Sequence, residues 1–286
     1  MNTGTELWLF TVSVAAGALG GMLGMASGIF IVPILTLWGH VDIRSAIGAS
    51  IVSVIACSCS SAAPFLKGRL TNVRLAILLE TATTAGALSG VLLVGTIPVS
   101  YLFFIFGVIL LISAQQMLAK RRDPALAPIL SLTGRSTTWR LDSTYPDRTL
   151  GRDIAYRVQR LPIGMVLMYV AGLISALLGI GSGVLKVPAM DTALRLPIKV
   201  SSATSNFMIS VTAAASAGAY FVRGDIVAPV AGPVALGSVV GAILGARLLM
   251  SISNERVRLL FVVVLVALAA QMLVAAFGKD WFRGIA

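Results

Sequence analysis

The sequence predicts an all-α integral membrane protein built from two repeats, each a broken, glycine-rich helical segment followed by three transmembrane helices. Three observations predict it. The 286 residues are 57% hydrophobic and only 12% charged, with a mean hydropathy of +0.95, whereas a soluble domain is nearer half apolar and a quarter charged. The charge is also concentrated: residues 120–160 hold nine of the 22 basic and four of the 11 acidic side chains, leaving 20 for the other 245 residues. Those 245 must lie mostly in lipid, where helices satisfy every backbone N–H and C=O within one segment.

The third observation is internal repetition. Gly17, Gly24, Ser27, Gly28, Val32 and Pro33 recur 155 positions later as Gly172, Gly179, Ser182, Gly183, Val187 and Pro188. The same offset carries Ile43-Arg44 onto Ile198-Lys199 and Ser50 onto Ser205. Lys67-Gly68 then matches Arg223-Gly224, and Gly86 and Gly90 match Gly237 and Gly241. The chain divides into a first membrane repeat (1–119), a polar connector (120–160) and a second membrane repeat (161–286).

The apolar runs are 7–39, 45–66, 75–95 and 99–118 in the first half, and 161–190, 200–222, 226–247 and 259–278 in the second. Six of them suit single helices of about 20 residues. The leading run of each half is longer. It is interrupted by Gly24-Met25-Ala26-Ser27-Gly28 in one copy and Gly179-Ile180-Gly181-Ser182-Gly183 in the other. Dense glycine favours unwinding, and the proline a few residues on suits the first turns of a new helix.

Each break is either a kink in a crossing helix or the tip of a hairpin that leaves on the side it entered. Kinks give four spans per half and parallel repeats; hairpins give three spans and inverted repeats. Outside the central connector, hairpins place eight basic residues on the connector's side and four opposite, whereas kinks place six on each. The positive-inside rule favours hairpins and a cytoplasmic connector. The net charge of +11 follows the same rule, which argues against nucleic acid as a partner. Met1 to Glu6 carries no Lys or Arg ahead of the first apolar run, so no cleavable signal peptide is expected.

Irregular backbone at membrane depth needs protein or a water-filled cavity to satisfy it, and paired broken helices commonly build a transporter's central site. A helix starting at Gly28 or Gly183 aims free N–H groups and a positive dipole end at such a cavity, which favours an anion. Ser27 and Ser182, with Gly181 beside the latter, add donors there. Small residues also serve close helix packing, but their recurrence at equivalent positions favours a substrate site. Lys186 lies three residues past Gly183, about 4–5 Å along the helix. A lysine at depth costs a few kcal/mol, so it is either the anion's counter-charge or the partner of a buried acid such as Asp191 or Glu80.

Ser50, Thr204, Ser205 and Asn206 are expected to line the cavity, the alternative being bonds to the preceding helical turn. Glu80 and Asp191 are candidates for a coupling proton. For Glu80, pairing with Lys67, Arg69 or Arg74 is the preferred reading. No metal or other cofactor is expected, since His40 is the sole histidine and Cys57 and Cys59, two apart on a helix, point to different sides. The connector lacks a long apolar period, so it is expected to bury no core of its own and to order partly against the membrane unit or lipid headgroups. The expected partners are a small anionic solute and membrane lipid. The oligomeric state stays open, a homodimer included.

The two breaks followed by Val-Pro (Gly24 to Pro33 and Gly179 to Pro188), with Ser201 to Asn206 and Arg223-Gly224-Asp225 after them, resemble the TauE/SafE family of sulfite and organosulfonate exporters. The resemblance spans nearly the whole chain except the connector. Family members typically show G-x-G-G-G at each break, from which Ala26-Ser27-Gly28 and Gly181-Ser182-Gly183 depart. The resemblance implies a secondary transporter of the bacterial inner membrane that moves sulfite, sulfoacetate or related sulfonates. A passive anion channel and a non-transporting scaffold subunit remain as alternatives. An intramembrane serine hydrolase does not fit: a G-x-S-x-G elbow needs glycines where Ile180 and Val184 stand, and one histidine is a poor supply of bases.

Overall fold

The computed structural model describes residues 3–25, 27–39, 41–93, 99–119, 141–147, 151–178, 183–222, 224 and 226–283. Among them the chain forms ten helices and one two-stranded ribbon. The helices of the first half are α1 (Thr3–Leu23), α2 (Gly28–Leu37), α3 (Ile43–Lys67), α4 (Val73–Leu93) and α5 (Val99–Ala119). The ribbon pairs β1 (Ser143–Asp147) with β2 (Arg152–Tyr156). The second half supplies α6 (Leu161–Leu178), α7 (Gly183–Thr192), α8 (Ile198–Val222), α9 (Ala228–Ser251) and α10 (Asn254–Arg283). Four helices contain stretches long and apolar enough to cross a bilayer: Gly4–Leu23, Ser45–Lys67, Ala228–Ser251 and Asn254–Val274.

The helices pack into two compact units, and each unit draws on both sequence repeats. One comprises Met1–Ile77, Thr144–Ile154 and Lys199–Ile252; the other comprises Leu78–Ser143, Ala155–Ile198 and Ser253–Ala286.

In the first unit α1 runs alongside α9 in the same direction, since Phe10, Val14 and Ala18 meet Gly237, Gly241 and Gly245 in step. Gly17 and Gly21 complete the seam, where a side chain's Cβ would come within 2.9 Å of the Ser238 or Ala242 backbone. Lipid offers no hydrophobic drive between helices, so such small-residue seams supply the contact.

The chain then turns back. Gly39, just past α2, lies against the ring of Trp8 near the start of α1, the ring 3.2 Å from where a Cβ would stand. One continuous helix would separate those positions by roughly 46 Å. Leu9 and Ala16 of α1 share a buried cluster with Ile31 and Leu35 of α2, Ala46 and Ala49 of α3, and Val230 and Val234 of α9. The break at Gly24 is therefore the tip of an antiparallel helical hairpin.

The second unit contains the equivalent construction. Gly164, near the start of α6, packs directly on Leu194, just past α7, and Gln159 N–H donates to Leu194 O at 3.2 Å. Gly39 and Leu194 are repeat-equivalent, and Gly164 is the counterpart of Leu9, the neighbour of Trp8, so equivalent stretches meet in the two repeats. Gly86 of α4 and Gly172 of α6 bring those helices together as the α1–α9 glycines do, the first against Tyr169 and the second against Thr83. α7 is buried from Gly183 to Asp191.

The connector departs from expectation in part. Residues 141–158 bury Leu141, Tyr145, Ile154, Tyr156 and Val158, because each strand alternates outward and inward side chains at period two. Asp147 Oδ1 meets Lys199 Nζ at 3.3 Å with both side chains all but inaccessible, which fastens the ribbon to the start of α8.

Candidate functional site

The first hairpin tip is shaped by backbone geometry. Gly24 adopts φ +73°, a left-handed conformation that ends α1, and its N–H and that of Met25 both return to Gly20 O, at 3.0 and 3.2 Å. This is a glycine helix stop. A Cβ on Gly24 would stand 2.5 Å from Ser202 O, so glycine is required twice over, for its φ and for the approach of α8.

Side chains of α8 bind the carbonyls that this stop exposes. Ser205 Oγ donates to Gly24 O at 2.7 Å, and Asn206 Nδ2 donates to Gly21 O at 2.6 Å. Thr204 Oγ1 accepts the N–H of Asn72 at 3.2 Å. These three predicted site residues thus gather around the tip, and their polar atoms hold tip and loop backbone together. Asn206 Oδ1 and the hydroxyls of Ser201 and Ser202 are buried without a hydrogen-bond partner.

Across the tip, Ser27 occupies the N-cap position of α2 without capping it. Its Oγ lies 2.6 Å from Ser53 Oγ, which lies 2.5 Å from Ser238 Oγ, and all three serines are inaccessible. The Ser50 hydroxyl sits 2.7 Å from where a Cβ on Gly28 would stand. Ser27, Gly28 and Ser50 therefore converge at the start of α2, where the dipole end is positive. Ser53 and Ser238 escaped the sequence reading. Ser53 is one of several serines on α3, and Ser238 follows the repeated Gly237 but has Ala87 as its counterpart in the other half.

In the second unit, Gly181 and Ser182 lie outside the described residues, and Gly183 opens α7. Lys186 Nζ pairs with Glu80 Oε2 at 3.0 Å, and Arg258 pairs with Asp191 at 3.3 Å. Glu80 therefore does not pair with Lys67, Arg69 or Arg74. Those three are exposed and keep their hydration, whereas a wholly buried lysine draws in the nearest acid. Cys57 is buried and Cys59 exposed, as expected for neighbours two apart.

A family described as "Sulfite exporter TauE/SafE" matches residues 9–272. The chain is 25% identical over 273 residues to a Bacillus subtilis (strain 168) protein described as "Probable membrane transporter protein YunE", covering 93% of this chain and 96% of the relative. No solved structure matches.

Proposed function

Because the chain belongs to the sulfite exporter TauE/SafE family, a family of multi-pass membrane transporters, we propose that it exports small sulfur-containing anions such as sulfite, sulfoacetate or related sulfonates across the bacterial inner membrane. The repeats are inverted on this reading, the connector is cytoplasmic, and transport proceeds by alternating access around an anion site at membrane depth. A monovalent anion leaving an inside-negative cell gains about 2.3 kcal/mol per 100 mV, so export can run on the membrane potential alone.

The observation that carries the reading is the start of α2, a helix N-terminus whose N-cap hydroxyl, Ser27 Oγ, belongs to a buried serine chain instead of capping its own helix. An arriving oxyanion would exchange the contact between Ser27 Oγ and Ser53 Oγ for one of its own and add the first free N–H groups of α2. Gly183 begins the equivalent helix of the second repeat, with Lys186 one turn further on.

Purified protein in liposomes should move labelled sulfite or a sulfonate. Ser27→Ala should cut the flux by about tenfold, the equivalent of one charge-assisted hydrogen bond. Flux equal with and without protein would remove the transporter reading, and full flux in Ser27→Ala would move the site elsewhere.

A further inference from the structure

Within the second unit, α5, α6 and α7 enclose a groove of about 170 Å³. Ile109 and Ile112 of α5, Leu167, Val170 and Ile174 of α6, and Leu185 of α7 give it apolar walls. Ile112 is 48% exposed, and Leu167 and Val170 are each 37% exposed, so the mouth of the groove is open. An apolar hollow stays dry, and its lining atoms lack contacts on one side until an apolar guest fills it. Around a membrane protein the guest at hand is an acyl chain.

One end of the groove is polar and faces a pair of cations. Gln116 and Thr192 line that end; Gln116 stands in the last turn of α5, which leads into the connector, and Thr192 is the last residue of α7. Arg195, three residues past Thr192, and Arg160, immediately before α6, are both exposed. The 3.2 Å bond from Gln159 N–H to Leu194 O keeps their Cα atoms within about 11 Å of each other. Two arginine side chains spanning that distance can meet on one phosphate. Neither guanidinium has an ion-pair partner among the described residues, whereas Arg157 has Asp142 at 3.8 Å. Arg160 also opposes its local field. Its carbonyl accepts the Gly164 N–H at 3.1 Å, so it stands at the positive end of α6, and its φ of +49° strains a non-glycine residue. An anion placed beside it relieves that like-charge conflict.

We propose that the groove and the Arg160–Arg195 pair form a binding site for an anionic phospholipid of the leaflet on the connector's side. One acyl chain lies along α7 between α5 and α6, and the phosphate sits between the two guanidinium groups. A soluble anion would leave the groove empty, and an apolar peptide would leave the arginines unpaired. The two halves of the site together select one class of molecule. Because α7 is an arm of the second hairpin, the lipid braces that arm against α5 and α6, whichever solute the protein carries.

Native mass spectrometry of the detergent-solubilised protein, titrated with phosphatidylglycerol or with phosphatidylcholine of the same chains, reads the selectivity. The wild type should bind phosphatidylglycerol about tenfold more tightly. Arg160→Gln/Arg195→Gln should bring the two lipids level. Arg69→Gln, at an exposed arginine that shares the left-handed backbone, should keep the difference. Val170→Trp fills the groove from its exposed rim and should weaken both lipids by a similar factor. All of these positions are exposed, so the fold is retained, and thermal unfolding gives a second reading: phosphatidylglycerol should raise the unfolding temperature of the wild type but not of the arginine pair. Equal affinity of the wild type for both lipids, undiminished selectivity in the arginine pair, or full affinity in Val170→Trp would overturn the proposal. So would inorganic phosphate that stabilises the protein as much as phosphatidylglycerol does, since the arginines would then hold a soluble anion.

Discussion

Lys186 and Glu80 form an ion pair at 3.0 Å between α7 and α4, with the lysine side chain inaccessible and the glutamate 14% exposed. The sequence offers Asp191 and Glu80 as acids that Lys186 could meet, and the structure pairs it with Glu80, 106 positions away. The pair ties the arm of the second hairpin to a helix of the first repeat. It also limits Lys186: its ammonium reaches any anion only by sharing or leaving Glu80.

Removing one partner of this pair leaves an uncompensated buried charge. Glu80→Gln should destabilise the protein by about 3–5 kcal/mol, whereas Glu80→Gln/Lys186→Met should recover most of that loss. Thermal unfolding of the solubilised protein reads both. Equal stability of Glu80→Gln and wild type would mean that the lysine finds another partner. In liposomes, a flux indifferent to an imposed proton gradient would exclude Glu80 as a proton carrier.

Gly24→Ala tests the geometry of the first tip. The left-handed conformation alone costs a non-glycine residue roughly 1–2 kcal/mol, and the added methyl meets Ser202 O at 2.5 Å. The expected result is a lower unfolding temperature and loss of transport. Gly232→Ala, with open space around the position, should change neither. An unaffected Gly24→Ala protein would show that the tip does not bear on α8.

Single cysteines in a Cys57→Ala/Cys59→Ala background test the topology. Arg195 lies just past the second hairpin, Ser143 begins the ribbon, and Trp38 lies just past α2; all three are exposed. Arg195→Cys and Ser143→Cys should react with an impermeant thiol reagent from the cytoplasm, and Trp38→Cys from outside. Labelling of Arg195→Cys and Ser143→Cys from opposite faces would contradict inverted repeats.

Much of this architecture is written locally. Run lengths, the 155-residue repeat and the two glycine-serine breaks locate the helices and tips within a few residues, because a helix's span and a glycine's backbone freedom are properties of neighbours in sequence. The charge asymmetry favoured hairpins over kinks, and Gly39 against Trp8 shows the first arm turning back. Tertiary partners were another matter. Ser53 and Ser238 meet across 185 positions, and Asp147 reaches Lys199 across 52.

The sequence by itself determined that this is a repeated, helical membrane protein of the TauE/SafE family with a polar break in each half. Only the tertiary structure decided which polar groups satisfy one another: Ser205 and Asn206 on the tip carbonyls, Lys186 on Glu80, Asp147 on Lys199. The physical reason is the solvent. In water, apolar periodicity marks the face a helix buries; in lipid both faces are apolar, so partner choice passes to close-fitting glycines and to polar atoms that must find each other.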